Sequence, residues 1–353
     1  MPVFAHVDLR KLGREMMEAV GVPQPVATIV ADHLVESGLR GHDTHSVLRF
    51  PQYVEAARSG KIDSSAEFQI LHETNFIAQV SGGWNYGQVT MNAAVELATK
   101  KAANAGFAVV TVKECNHVAR LGHFAAVATA HDRIAIITSN GHGSDLAVAP
   151  LGGIARRLPT NPLAIGIPTG RDWPILLDMT TSAMSGGDMR WYRNRGLPLP
   201  PGNTIDHAGE PTRDVEAYYG PPAGAILPLG FPDSGHKGYG LSIVVDILSG
   251  ALSRAGCSQE DSPETGNALF IGVLDVASFL PLEGFRRHAD ALIDWIKSSA
   301  PADGFDEVVL PGENSHRIYL ERSREGLEVD DKAWVEIAAL ASQLEVQLPP
   351  PAD

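Results

Sequence analysis

From residue 89 to residue 310 the chain switches repeatedly between two hydrophobic rhythms. That alternation limits the fold more than any single residue does. Val89 to Ala105, Gly122 to Ala130, Tyr239 to Leu252 and Phe285 to Ser298 carry helical periodicity. Phe107 to Val112, Ile134 to Thr138, Leu163 to Ile167, Ile175 to Leu177, Leu269 to Val276 and Glu307 to Leu310 read as strands. The pattern predicts a mixed α/β core. The flanks are helical. Asp8 is placed to cap a helix with Leu9, Leu12, Met16 and Val20 on one face, stopped by Gly21 and Pro23. A second helix follows Pro25 and ends near Gly38 or Gly41, a third runs from Val47 to Ala57, and Lys332 to Leu344 is amphipathic. The two ends are expected to pack as a separate helical layer. The apolar stretch Tyr239 to Leu252 is expected to be a buried helix, too short to span a bilayer and interrupted by Asp246. Residues 181–235 lack periodicity, which suggests a functional excursion or an oligomer arm.

With 28 Lys+Arg against 42 Asp+Glu, the formal net charge is -14. Such a chain gains little from counterion release, so nucleic acid is not an expected partner. A small anionic substrate requires a local group of cations set against that background. Cys115 and Cys257 make no disulfide framework and suit a reducing compartment. The first residues lack the basic-then-apolar order of a signal peptide. The expectation is a soluble, cytoplasmic protein with no membrane partner.

Several short motifs carry chemistry. Gly41-His42-Asp43-Thr44-His45-Ser46 is a polar loop between apolar segments, followed by Arg49 and Tyr53. A guanidinium grips a carboxylate through two parallel hydrogen bonds, and a histidine exchanges a proton near neutral pH. The bland alternative is a capped surface loop. His42 and His45 with Asp43 also suit a metal pair, but no third ligand stands out, so no metal is expected. Cys115-Asn116-His117 follows a strand, where α/β proteins commonly bind ligands; an inert thiol beside a helix entry is the alternative. Thr160-Asn161-Pro162, after Gly152-Gly153, fixes a turn. Leu177-Asp178-Met179-Thr180-Thr181-Ser182 is a strand end followed by hydroxyls. Gly235-His236-Lys237-Gly238-Tyr239-Gly240 offers backbone N–H groups and a lysine at a helix start, suited to phosphate. Neither the P-loop spacing nor Gly-x-Gly-x-x-Gly occurs, so a dinucleotide here would not use the Rossmann fingerprint. Pro311-Gly312-Glu313 reads only as a turn.

In this order the pieces resemble one family, the malate/L-lactate dehydrogenase-like oxidoreductases that lack a Rossmann fold. Ureidoglycolate dehydrogenase, sulfolactate dehydrogenase, diketogulonate reductase and cyclic-imine carboxylate reductases belong to it. The resemblance runs from about Leu9 to Val346. It implies an α/β fold with a mixed-sheet, non-Rossmann cofactor domain (76–314) and a mostly helical substrate-side domain formed by both chain ends (1–75 with 315–353). It implies a homodimer and hydride transfer between NAD or NADP, with a lean to NAD, and a small 2-oxo or 2-hydroxy acid. The alternatives are reduction of a cyclic imine carboxylate, or a metal-dependent hydrolase using His42 and His45. By resemblance His45 and His117 are the candidates for proton transfer. Thr44, Arg49, Tyr53, Ser144 and Asp145 would meet the substrate. Thr160, Asp178, Met179, Thr180, Thr181, Ser182, His236, Lys237, Pro311, Gly312 and Glu313 would meet the cofactor. Two departures stand out. Thr44-His45-Ser46 replaces the family's Ser-His-Gly. Ser185-Gly186-Gly187-Asp188 replaces a small residue followed by Arg-Gly-Lys, leaving Arg190, Arg193 or Arg195 to compensate.

Overall fold

The computed structural model describes residues 1–143, 145–260 and 264–352. Seven strands form one sheet: β1 (Gln69–Glu73), β2 (Ile77–Ser81), β3 (Phe107–Cys115), β4 (Arg133–His142), β5 (Leu163–Ile167), β6 (Ile175–Met179) and β7 (Gly266–Asp275). Their spatial order is β1-β2-β3-β7-β4-β5-β6, with β7 inserted at the centre. The β2–β3 pair is parallel, with Ile77 opposite Val109. The other neighbours run antiparallel. A doubly wound nucleotide-binding sheet is mostly parallel, so the expected non-Rossmann α/β architecture is what the chain forms.

The alanine-rich stretch becomes the helix Gly87–Ala105, the crossover from β2 to β3. Its small inward side chains, Ala94, Ala98 and Ala102, lie in one apolar cluster with Val110, Val112 and Ile271 of the sheet. The helix Leu121–Thr129 adds Phe124, Ala125 and Ala128 to the same layer. A second cluster joins the two ends of the chain. Leu9, Leu12 and Met16 of the helix His6–Glu18 and Val30 and Leu34 of the helix Gln24–Leu39 pack with Phe50, Tyr53, Ile337 and Ala341. The antiparallel pair Val3–Phe4 with Leu327–Glu328 closes that layer. The cleft lies where the two clusters meet.

Several expectations need correction. The first helix starts at His6, so Asp8 sits inside its first turn and does not cap it. Glu307 to Leu310 is irregular, not a strand. Side chains take its backbone groups instead of a ladder: Glu313 accepts from the Leu310 N–H, and Lys297 donates to the Val308 carbonyl. The apolar stretch before Leu252 begins as the helix Gly235–Asp246 and continues through a wider π turn, Ile247–Ala251. It is not buried all round: Val244 and Ile247 are 51% and 53% exposed. Residues 181–235 are ordered around their own small core of Met189, Leu199, Val215 and Ile226. They carry the helix Gly186–Arg195 and the strand pair Thr204–Ile205 with Ala225–Ile226. Among the described residues no helix is long and apolar enough to cross a membrane.

Candidate active site

A cleft of about 900 Å³ opens between the helical layer and the sheet ends. Thr44, His45, Arg49, Tyr53, His117, Asp145, Thr160, Asp178, Met179 and Thr180 all line it. Residues far apart in sequence therefore converge. The lining also answers the charge requirement, because Arg49, Lys61, Arg120, Arg156 and Arg190 outnumber Asp145, Asp178 and Asp188.

The polar loop folds into two short 3-10 turns, Asp43–His45 and Val47–Arg49, which lead directly into the helix Phe50–Arg58. Arg49 Nε donates to the Thr44 carbonyl at 2.9 Å, and Nη1 donates to Gln52 Oε1 at 2.6 Å. These bonds anchor one edge of the guanidinium, and among the described residues nothing pairs with Nη2. His45 and His117 lie nearly parallel, with ring centroids 5.8 Å apart. Tyr53 Oη is 2.7 Å from His117 Nδ1, so the phenol grips the imidazole from behind and does not project its hydroxyl at a substrate. Burial, then the nearby Arg49 charge, brings His45 down to about 3. The same two causes, with His45 third, hold His117 well below its ordinary value. Both rings are therefore neutral at pH 7. Burial pushes the Tyr53 phenol up to about 12.

The second wall comes from the sheet. Asp178 ends β6, and its Oδ2 accepts from the Gly122 N–H at 2.9 Å at the start of the helix Leu121–Thr129. A Cβ at Gly122 would fall 2.5 Å from that oxygen, so only glycine allows this approach. Arg120, 2% exposed, stands 3.8 Å from Asp178 and 3.3 Å from Glu36. Burial raises the Asp178 carboxyl, and Arg120 and the Gly122 N–H partly counter it. Thr181 stands behind this wall and holds Thr160 by two bonds of 3.0 Å to its carbonyl. Ser182 is also buried, its hydroxyl bonded to the Met184 carbonyl. Asp145 points into open cleft with no hydrogen bond or ion pair among the described residues; burial raises its carboxyl, against the pull of Lys61 and Arg49. Ser144 lies outside the described residues.

The departures have local explanations. Asp188 closes a capping box with Ser185 and starts the helix Gly186–Arg195. A Cβ on Gly187 would come within 2.7 Å of the Thr44 Cβ, so glycine brings that helix against the polar loop Gly41–Ser46. Of the three arginines expected to compensate, Arg190 reaches the cleft. Arg193 is committed to Glu216, and Arg195 lies over the Trp191 ring.

Other expected residues lie elsewhere. His236 and Lys237 are solvent-exposed and do not line the cleft. Pro311 caps the far end of β6 by accepting from the Leu176 N–H. Gly312 turns there with φ 92°, and Glu313 is buried against Lys297 and Arg317. Asp43 is paired with Arg322. Among the described residues no three His, Cys, Asp or Glu side chains converge as a metal site. Residues missed in sequence include Gln88 and Arg120, and Asn161 was read only as part of a turn. Arg120, isolated in the run Val118-Ala119-Arg120-Leu121, was the most legible of them, because a cation there demands partners.

The profile of the malate/L-lactate dehydrogenase family matches residues 4–338. This chain belongs to the malate/L-lactate dehydrogenase family. It is an oxidoreductase of hydroxy acids. Malate dehydrogenase of Pyrococcus horikoshii is 36% identical over 339 residues, covering 94% of this chain and 92% of that protein. L-sulfolactate dehydrogenase of Methanothermobacter thermautotrophicus is 34% identical over 345 residues, 96% of each chain. The solved structure of the Pyrococcus horikoshii malate dehydrogenase superposes with a TM-score of 0.89 at 34% identity, covering 99% of this chain and 97% of that one. The metal-dependent hydrolase alternative has no support from the family or from the geometry.

Proposed function

We propose that this dehydrogenase interconverts a small 2-oxo acid and its 2-hydroxy acid, with NAD or NADP as the hydride carrier and a lean to NAD. The observation that carries this reading is the convergence of Arg49, His45 and His117 at one point of the cleft. Arg49, with Nη2 unpaired, binds the substrate carboxylate, and Thr44 steadies the loop beside it. The substrate's carbonyl or hydroxyl oxygen lies against the two imidazoles, which hold or take its proton. Neutral rings suit this chemistry, because a neutral N–H can polarise a carbonyl without leaving a buried charge unpaired beside Arg49.

The cleft suits a nicotinamide cofactor. Its volume lies towards the upper end of the ~300–1,000 Å³ usual for cofactor sites. Asn161 lines the cleft and is held rigidly from behind, its amide nitrogen donating to Ser242 and Asp246. Thr160, Asp178, Met179 and Thr180 would hold the group, with Arg190 near the helix start at Ser185. When bound, a nicotinamide supplies or accepts the hydride. The lean to NAD follows from Asp188, an acid where an extra phosphate would need a cation.

The helical portion (1–75 with 315–353) forms the substrate side and 76–314 the cofactor side. The molecule works as a cytoplasmic homodimer. Supporting that, Ile77, Phe107 and Ile136 leave one sheet face apolar and exposed, and Ile243, Val244 and Ile247 do the same on the helix Gly235–Asp246 and its π turn.

The test is a thermal-shift titration with NADH and NADPH, followed by absorbance at 340 nm with a panel of 2-oxo acids. NADH should stabilise the protein more than NADPH, and at least one acid should oxidise it. No stabilisation by either cofactor would overturn the proposal.

A further inference from the structure

We propose that Gln88 is a positioning residue that fixes which nitrogen of His117 carries the proton, so that the ring presents Nε2–H to the cleft. Its catalytic meaning rests on the reading above; the tautomer itself does not.

Gln88 stands in the first turn of the helix Gly87–Ala105 and is wholly buried. Its Nε2 lies 3.0 Å from Tyr53 Oη and 3.4 Å from the His117 carbonyl oxygen. A carbonyl can only accept, so the amide nitrogen must face that corner; the flipped amide would set two oxygens against each other. One lone pair of Tyr53 Oη is thus filled by Gln88. The phenol has a single hydrogen, and two acceptors compete for it: His117 Nδ1 at 2.7 Å and the His117 carbonyl at 3.2 Å. The Gln88 N–H already points at that carbonyl, so the hydroxyl hydrogen goes to the shorter contact, and the reverse arrangement, with Nδ1–H donating to Oη, is the one that Gln88 disfavours. Nδ1 then accepts, and a neutral imidazole with an accepting Nδ1 bears its hydrogen on Nε2. His117 is only partly buried and lines the cleft, and among the described residues nothing bonds to Nε2.

His45 offers a control within the same site. Its Nδ1 has Thr44 Oγ1 at 3.2 Å, a hydroxyl that can donate or accept, so nothing presets its tautomer. Gln88 also keeps a side-chain oxygen buried without a partner. An orphaned acceptor in a core is unusual and is more readily explained when the other end of the amide is needed where it points.

The experiment uses the full-length protein labelled with ¹⁵N-histidine, with His117 assigned from the spectrum of His117→Gln. At pH 7 the wild type should show protonated Nε2 and bare Nδ1. Hydrogen on Nδ1, or on both nitrogens, overturns the proposal without recourse to any variant. In Gln88→Met the Tyr53 hydrogen is free to turn to the carbonyl, and His117 should show a tautomer mixture. Turnover should fall roughly tenfold, with KM for acid and cofactor within about twofold. Because Gln88 acts through Tyr53, Gln88→Met should add little to the loss already seen in Tyr53→Phe. Equal losses in both backgrounds would show a merely structural role and defeat the proposal. If the tautomer is as stated and no acid is turned over, the functional reading fails and the assignment stands; turnover with Nδ1 protonated sinks the assignment alone.

Discussion

The two walls of the cleft are built in opposite ways. Around the polar loop the groups proposed for chemistry are tethered at short range: Arg49 to Thr44 and Gln52, and Tyr53 to His117 and Gln88, which reach it from the end of β3 and from the helix Gly87–Ala105, with Phe50 and Val54 packed around them. On the sheet side the acids and cations stand further apart, and Asp145 has no partner at all among the described residues. The tethered wall has few alternative states and suits the chemical step, which tolerates little misplacement. Asp145, exposed in the cleft, can change without disturbing a core, so that part of the wall suits the choice of substrate.

Substitutions should separate the walls, from the largest effect to the smallest. His117→Ala should lower kcat by roughly 10²–10⁴-fold with little change in cofactor affinity; full turnover would remove the tethered wall from the chemistry. Arg49→Lys should raise KM for the acid on the order of tenfold or more, because an ammonium cannot keep the bonds to Thr44 and Gln52 and still present a donor to the carboxylate; steady-state kinetics with an unchanged KM would count against a carboxylate site there. Asp145→Asn should shift the kcat/KM ratio of a diacid over a monoacid upwards by several-fold, because a negative charge facing the second carboxylate is gone. A constant ratio would mean that the loose wall does not select. Lys237→Ala should change cofactor Kd by less than about twofold. A large loss by calorimetry would show that the exposed glycine–lysine turn folds onto the ligand.

The walls should also differ in pH response. His45 falls to about 3 and His42 to about 4, in both cases mainly through burial, so their folded values lie below the unfolded one. A depressed histidine contributes stability above the unfolded value near 6.5 and loses it as pH falls towards the folded value. Melting temperature should therefore drop progressively between pH 6.5 and about 4. The acid limb of kcat/KM should lie well below 6.5 as well. An inflection near 6.5 would point to an exposed histidine as the proton carrier.

Much of the tethered wall was legible in the sequence. Thr44, His45, Arg49 and Tyr53 are close together in the chain, and local spacing alone puts them on one side of a turn. His117 was found because it follows a strand. Gln88 was not, since a single amide in an alanine-rich helix carries no periodic signal and its partners are 35 and 29 residues away. β1 escaped for a related reason: Gln69–Glu73 is exposed throughout and lacks the alternation that marks a half-buried strand. The helix Glu313–Glu325 was missed because it is largely polar. Glu313 shows the reverse error. Its motif is recognisable, yet its carboxylate is spent on Lys297, Arg317 and the Leu310 N–H, holding a turn against β6.

The strand pair that joins Val3–Phe4 to Leu327–Glu328 has a consequence for biosynthesis. The helices that carry the tethered wall leave the ribosome well before Leu327 and Ile337, which cover them. At roughly 5–20 residues per second, the nascent layer waits on the order of tens of seconds with Phe4, Leu9 and Phe50 uncovered. The sheet, whose central strand β7 also arrives late, cannot shelter it in the interval. During translation this enzyme should thus be a client for chaperones that bind apolar helices, and its active site should become competent only once Leu327 to Ala341 have been made.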